Sequence, residues 1–185
     1  MVYIGLLIAA AAVGIDRLTK YFVAANMEQY ESIPVIKIGD VEVLNFSYYL
    51  NDGAAFSKFE GQTTTLIVVT SLFIVGLLAA ILLKKIKRKP YVIAASLMIG
   101  GGIGNLIDRI FNGGLVVDFI DLKIINFAIF NFADICAVCG AFLMMLTLIA
   151  DEIKEHRQKR KASAAEPQDA TAKSAEETKD SQNGA

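Results

Sequence analysis

Four long stretches of the chain are almost free of charge. Residues 2–15 carry none, and apolar character resumes at 21–25 after Asp16, Arg17 and Lys20. Residues 61–83 and 90–107 are uncharged, and 124–150 hold a single charge, Asp134. Crossing a bilayer takes about 20 apolar residues. These runs therefore predict four membrane-spanning helices, at about 2–25, 62–83, 90–110 and 126–150. The first run contains Ala9, Ala10, Ala11 and Ala12, small residues of the kind found in secretory leaders. No Lys or Arg precedes it, however, and it continues past Lys20, so a retained helix is expected. Asp16 and Lys20 are four apart, on one face of that helix, where they can pair.

Between the first two helices the pattern changes from helical to partly alternating. Two β-branched runs, Val35-Ile36-Lys37-Ile38 and Val41-Glu42-Val43-Leu44, flank Gly39-Asp40 and predict a hairpin with a two-residue turn. Phe46 to Leu50 extends the strand pattern, so a small extracytoplasmic β platform is expected over about 32–58. Lys84, Lys85, Lys87, Arg88 and Lys89 form one basic loop, and 154–161 is a second basic segment. By the positive-inside rule both belong in the cytoplasm, along with both termini, and the acidic stretch around the β platform belongs outside. The fold class predicted is a mainly α membrane protein. It is a four-helix bundle with a β platform between helices one and two, forming a domain at 1–153. Residues 154–185 lack Ile, Leu, Val, Phe and Tyr and read as a disordered cytoplasmic tail.

Composition narrows the chemistry. The 185 residues are 55% hydrophobic, with a mean hydropathy of +0.50, above the roughly 45–50% apolar content of soluble domains. The net charge of −1 averages an apolar body with a charged C-terminal segment. No basic surface interleaved with aromatics appears, so no nucleic-acid partner is expected. The one histidine, His156, lies outside the apolar body, which leaves no Ser-His or Cys-His pair and no His-rich zinc site there. Cys136 and Cys139 fall in one apolar run and read as small apolar residues.

Polar side chains inside a bilayer are costly, so their depth is informative. Asn105, Asp108 and Arg109 come at the outer end of helix three, Asp118 in the connection that follows, and Asn131 and Asp134 early in helix four. Asp16 and Lys20 reach the same level from helix one, and Asn51 from the β platform. This convergence predicts a site near the outer interface. Without histidine, two carboxylates are the available acid and base. Close carboxylates share one proton, because both cannot ionise. The ionised member can deprotonate water while its protonated partner polarises a carbonyl, which is the logic of aspartic peptide hydrolysis. Asp118 and Asp134 are the leading candidates. Asp121 is weaker because nothing forces it inward, and Asp108 reads as a structural ion pair or cap.

Plainer readings stand beside these. A single intramembrane aspartate can serve as a helix contact or a proton relay, and a proton-coupled transporter is the competing class. Such a protein should also show midplane polar residues and repeat symmetry, and neither is visible. Gly100 and Gly104, four apart in an apolar run, read as close helix packing rather than a phosphate loop. Asn51-Asp52-Gly53 alone would be a turn. Arg17 is expected to snorkel to an interface.

Five motifs in order give the chain a resemblance. They are Asp16-Arg17-Leu18-Thr19-Lys20, then Asn51-Asp52-Gly53-Ala54-Ala55-Phe56, then the glycine run ending Asn105-Leu106-Ile107-Asp108-Arg109, then Val116-Val117-Asp118-Phe119-Ile120-Asp121, and last Phe130-Asn131-Phe132-Ala133-Asp134. Together they resemble the lipoprotein signal peptidases (signal peptidase II), over about residues 1–150. The resemblance implies Asp118 and Asp134 as the catalytic pair. It implies that Asn51, Gly53, Asn105, Arg109, Asn131 and Ala133 order the site and hold substrate, with Asp16, Lys20 and Asp108 in support. It further implies a prolipoprotein substrate already carrying diacylglycerol on its lipobox cysteine, cut just before that cysteine. No metal and no organic cofactor is implied. The expected setting is the bacterial cytoplasmic membrane, with membrane lipids as surroundings and the enzyme acting as a monomer. Ala128 stands where many members have proline and Arg17 where glutamine is frequent, and the long polar tail is outside the pattern.

Overall fold

The computed structural model describes residues 1–53, 62–125 and 127–165. Four helices dominate: α1 Val2–Asn26, α2 Thr63–Leu82, α3 Lys89–Phe111 and α4 Phe132–Ala165. Each is long and apolar enough to cross a membrane, with α4 qualifying over Phe132–Lys161. Large apolar side chains such as Leu7, Phe22, Leu72 and Val75 are exposed along α1 and α2. That surface suits a helix whose solvent is hydrocarbon, where helices also satisfy their own backbone groups. Pro90, near the start of α3, tolerates the first turn because the N–H it lacks would be unpaired there.

The strands are β1 Ser32–Ile38, β2 Val41–Asn51 and β3 Val116–Leu122, in an antiparallel sheet of order β1-β2-β3. The expected hairpin is present: Ile38 pairs with Val41 across Gly39-Asp40, and Gly39 has φ +60, a value glycine adopts freely. Pro34 lies on β1, an edge strand, where its missing N–H costs least. The third strand lies where the sequence suggested only a connection. Five of its seven residues are buried and two half-buried, and its pairing places Tyr49 of β2 opposite Asp118. The sheet rests on the end of α1 through Val23, Val117 and Phe119, with Met27, Tyr48 and Leu50 around them. That contact sets the height of β3 relative to the helices.

By contact, Met1–Met145 form one compact unit and Leu146–Ala185 a second. Two boundaries differ from expectation. Helix α4 begins at Phe132, not near 126, because Phe130 is drawn into a β-bridge with Ile120 and Asn131 then caps the helix. The stretch 154–165, expected to be disordered, continues α4 to Ala165. It lacks a core-forming face, but Ala, Lys, Arg, Glu and Gln are strong helix formers. The remainder of the expected tail, 166–185, and the last part of the expected β region, 54–58, lie outside the described residues.

Within the first unit, α3 approaches its neighbours through its glycines. Gly100 faces Ala9 and Ala12 of α1, whereas Gly101 faces the backbone of α4 at Ala133 and Ala137. A methyl group on Gly101 would meet the Ala133 carbonyl oxygen, and backbone cannot yield as a side-chain tip can. Gly76, by contrast, has open space around it. Gly101→Ala is therefore expected to lower stability in detergent by about 1–3 kcal/mol through overpacking. Gly76→Ala should be neutral or stabilising by up to about 1 kcal/mol, since it removes backbone freedom without a clash. Thermal unfolding of the two variants side by side checks this, and equal midpoints would contradict it.

Candidate active site

The site is built on the head of α4. A helix leaves its first N–H groups unpaired, and side-chain oxygens usually satisfy them. Here Asn131 is the cap. Its Oδ1 accepts from the Asp134 N–H at 3.0 Å, and Asp134 Oδ2 accepts in return from the Asn131 N–H at 3.0 Å. This is the reciprocal arrangement of a capping box, with Asp at the third helical position. The N–H between them, on Ala133, donates to Asp16 Oδ1 at 3.1 Å. Ala133 is fully buried, and Gly104 leaves the room in which Asp16 lies. The capping pattern fixes where the Asp134 carboxylate points.

Asp118 arrives from the other side, on β3. The Asn131 amide donates from Nδ2 to Asp118 Oδ1 at 2.6 Å, so one residue touches both carboxylates. Asn51, the last residue of β2, donates to Asp118 Oδ2 at 2.8 Å. Its own Oδ1 accepts from the Gly53 N–H at 2.9 Å, an Asx turn that brings Gly53 to the site. Asn105 donates from Nδ2 to Asp134 Oδ1 at 2.7 Å. Arg109 donates from Nη2 to the Gly53 carbonyl at 3.0 Å, and its Nε is buried without a hydrogen-bond partner among the described residues.

Asn51, Gly53, Asn105, Arg109, Asp118 and Asp134 all line one cavity of about 420 Å³. Its other walls are apolar, from Val116, Phe127, Ile129, Phe130, Ile135 and Val138. Burial and then the neighbouring Asp134 charge push Asp118 up to about 7, while the Asn51 and Asn131 donors oppose that rise.

Behind this layer is a second one made of charges. Lys20 is 1% exposed and lies 3.0 Å from Asp16 Oδ2 and 2.8 Å from Asp108 Oδ2. It also donates to Asn105 Oδ1 at 2.8 Å. That oxygen receives a further bond from Asn131 Nδ2 at 3.0 Å. With two donors on its oxygen, the Asn105 carboxamide must turn its NH2 toward Asp134. Asp108 additionally accepts from the Val117 N–H at 3.3 Å, which ties α3 to the residue beside Asp118.

Several sequence expectations change in detail. Arg17 does not simply snorkel: its guanidinium reaches Asp108 Oδ1 at 2.5 Å, so Asp108 is an ion-pair hub shared by Arg17 and Lys20. Asp121 is buried, yet it is not part of the cavity. It is three residues from Asp118 on the same strand and therefore faces the opposite side. There it accepts from Ser47 Oγ at 2.8 Å and pairs with Lys123 at 2.6 Å. The sequence assigns Phe127 and Ile129 no role, and gives no sign that Ala128, Phe130 and Cys139 line the cavity, as they do. Phe127, Ile129 and Phe130 carry no polar signal that would have marked them.

Four apolar helices and a cavity holding two carboxylates under amide donors define a membrane protein with a hydrolase-like site. A family model described as signal peptidase (SPase) II matches residues 8–150. The chain is 34% identical over 145 residues to the lipoprotein signal peptidase of Brevibacillus brevis, covering 78% of this chain and 94% of that one. It is 38% identical over 157 residues to the lipoprotein signal peptidase of Pelotomaculum thermopropionicum, covering 84% and 97%. Its fold is similar to that of a solved bacterial membrane enzyme, with a TM-score of 0.72 and 34% identity over 80% of this chain and 88% of that chain. The chain belongs to the signal peptidase II family, as a membrane-spanning bacterial peptidase.

The charge layer yields an expectation of its own. Removing one member of a buried ion pair leaves a charge uncompensated, at a cost of about 3–5 kcal/mol. Lys20→Met strands both Asp16 and Asp108, so its unfolding midpoint in detergent should fall well below that of wild type. Arg17→Met removes a pair whose arginine side chain is 31% exposed, and it should cost about 1 kcal/mol or less. Equal losses for the two variants would contradict the ranking.

Proposed function

We propose that this peptidase is of the aspartic type and removes the signal peptide from diacylglyceryl-modified prolipoproteins, cutting immediately before the lipidated cysteine. The observation that carries this reading is the bridging of Asp118 and Asp134 by Asn131, at the wall of one cavity with apolar sides. A carboxyl group raised to about 7 beside a carboxylate that receives two N–H bonds is the electrostatic arrangement such a reaction needs.

In this mechanism Asp118 carries the shared proton and Asp134 is the base. Asp134 takes a proton from water as the water oxygen bonds to the scissile carbonyl carbon. Asp118 gives its proton to the carbonyl oxygen, forming a neutral gem-diol. Asp134 then passes its proton to the amide nitrogen as the C–N bond breaks. A gem-diol hydroxyl returns a proton to Asp118, and the signal peptide leaves with a new carboxyl terminus. The leaving amine belongs to the lipidated cysteine. Arg109 lines the cavity and can donate to a substrate carbonyl, held in place by its bond to the Gly53 carbonyl. The apolar walls suit a hydrophobic signal peptide and an acyl-bearing cysteine.

The basic loop 84–89 and basic 154–161 favour a cytoplasmic-membrane location with both termini cytoplasmic. The site is then near the outer leaflet, and the enzyme acts as a monomer among membrane lipids. Purified protein with a diacylglyceryl prolipoprotein tests the reading by mass spectrometry. Wild type should release a product beginning at the lipidated cysteine and leave the unmodified precursor uncut. Asp118→Asn and Asp134→Asn should each lose at least about 10³-fold, of the order expected when a catalytic acid or base is removed. Cleavage at another bond, or retained activity in either variant, would overturn it.

A further inference from the structure

Residues 151–165 of α4 lie past the part of the chain that the family model matches, and their helical form sorts their charges. Ala150, Ile153, Lys154, Arg157, Gln158 and Lys161 line one shallow groove along the helix. Their spacing of three and four places them on one face. That face holds three cations and no acid. Glu152 and Glu155 turn away from it, where Glu152 pairs with His156 at 3.2 Å, while Asp151, three residues before Lys154, lies at its edge. Lys154, Arg157 and Lys161 are all exposed, and none is ion-paired among the described residues.

The position of this face along α4 matters as much as its sign. The uncharged run of the helix ends at Ala150. At 1.5 Å per residue, Lys154, Arg157 and Lys161 follow Ala150 by about 6 to 16 Å. The headgroup layer occupies roughly the first 5–8 Å beyond the hydrocarbon, and the field of an anionic leaflet persists for about a Debye length more, some 8–10 Å. A cation cluster at that depth is attracted to anionic lipid and strengthens attachment roughly fivefold per residue. The long stems of Lys and Arg let each charge reach back toward the phosphates.

We propose that the Lys154–Arg157–Lys161 face of the α4 extension binds anionic phospholipid headgroups of the leaflet from which α4 emerges. The partner is a negatively charged lipid surface, and the contact fixes the extension against the membrane.

Full-length protein in nanodiscs tests this through amide hydrogen exchange over residues 154–161. Discs of phosphatidylcholine alone are compared with discs containing an equal share of phosphatidylglycerol. Exchange should slow at least about tenfold with phosphatidylglycerol, as expected for several cations. About 1 M salt, where the Debye length is about 3 Å, should restore the phosphatidylcholine rate. The variant Lys154→Gln/Arg157→Gln/Lys161→Gln keeps good helix formers and should exchange alike in both discs. Glu152→Gln/Glu155→Gln, on the other face, should keep the lipid response. Equal exchange of wild type in the two discs would overturn the proposal, as would a lipid response that survives the triple substitution. Protection already complete in phosphatidylcholine, and lost on truncation after Ala165, would instead assign the face to the chain's own acidic segment 166–185 and overturn it equally.

Discussion

Everything at the site depends on how the head of α4 is capped. Buried backbone donors must be paired, and inside a membrane protein water is a scarce partner. Three side chains do this here. Asn131 and Asp134 satisfy each other's N–H groups, and Asp16 reaches across from α1 to satisfy Ala133. The same bonds hold a carboxylate at a defined place and orient the carboxamide that meets Asp118. Capping, helix packing and the presentation of two carboxylates are therefore one arrangement. The partial positive charge of the helix N-terminus adds to it by favouring anions nearby.

The charged layer behind it explains why the front layer has one orientation. A carboxamide can be turned either way at little intrinsic cost. Lys20 removes that freedom by donating to Asn105 Oδ1, and Asn131 donates to the same oxygen. Lys20 is held in turn between Asp16 and Asp108. Two anions around one buried cation, with Arg17 at the rim, leave little uncompensated charge in a region of low dielectric. The glycines of α3 permit this density: Gly104 makes room for Asp16, and Gly101 lets the α4 backbone approach.

How much of this was legible follows from the range of each interaction. The helices were visible as uncharged runs because the bilayer imposes a length. The β1–β2 hairpin was visible because its turn is local and Gly39 marks it. Strand β3 is harder to read because its partner is β2, distant in the chain, though the β-branched run around Val116 and Val117 carries a signal. The Asn131-to-Asp134 spacing holds the capping pattern, whereas hydropathy alone puts the helix start too early. The pairing of Arg17 with Asp108 spans 91 residues of sequence and left no local trace. Residues 154–165 were expected to be disordered because they bury nothing, although their helix-forming residues carried the opposite message.

The proposed mechanism needs Asp118 to hold a proton at neutral pH and Asp134 to act as the base. The pH dependence of kcat/KM for prolipoprotein cleavage reads the free enzyme's acid and base most directly. A carboxyl group raised to about 7 is protonated below that pH and charged above it, so the loss must come on the alkaline side. The expected profile falls about tenfold per pH unit above about 7. A profile that stays level from about pH 6 to about pH 9 would contradict a shared proton on this pair.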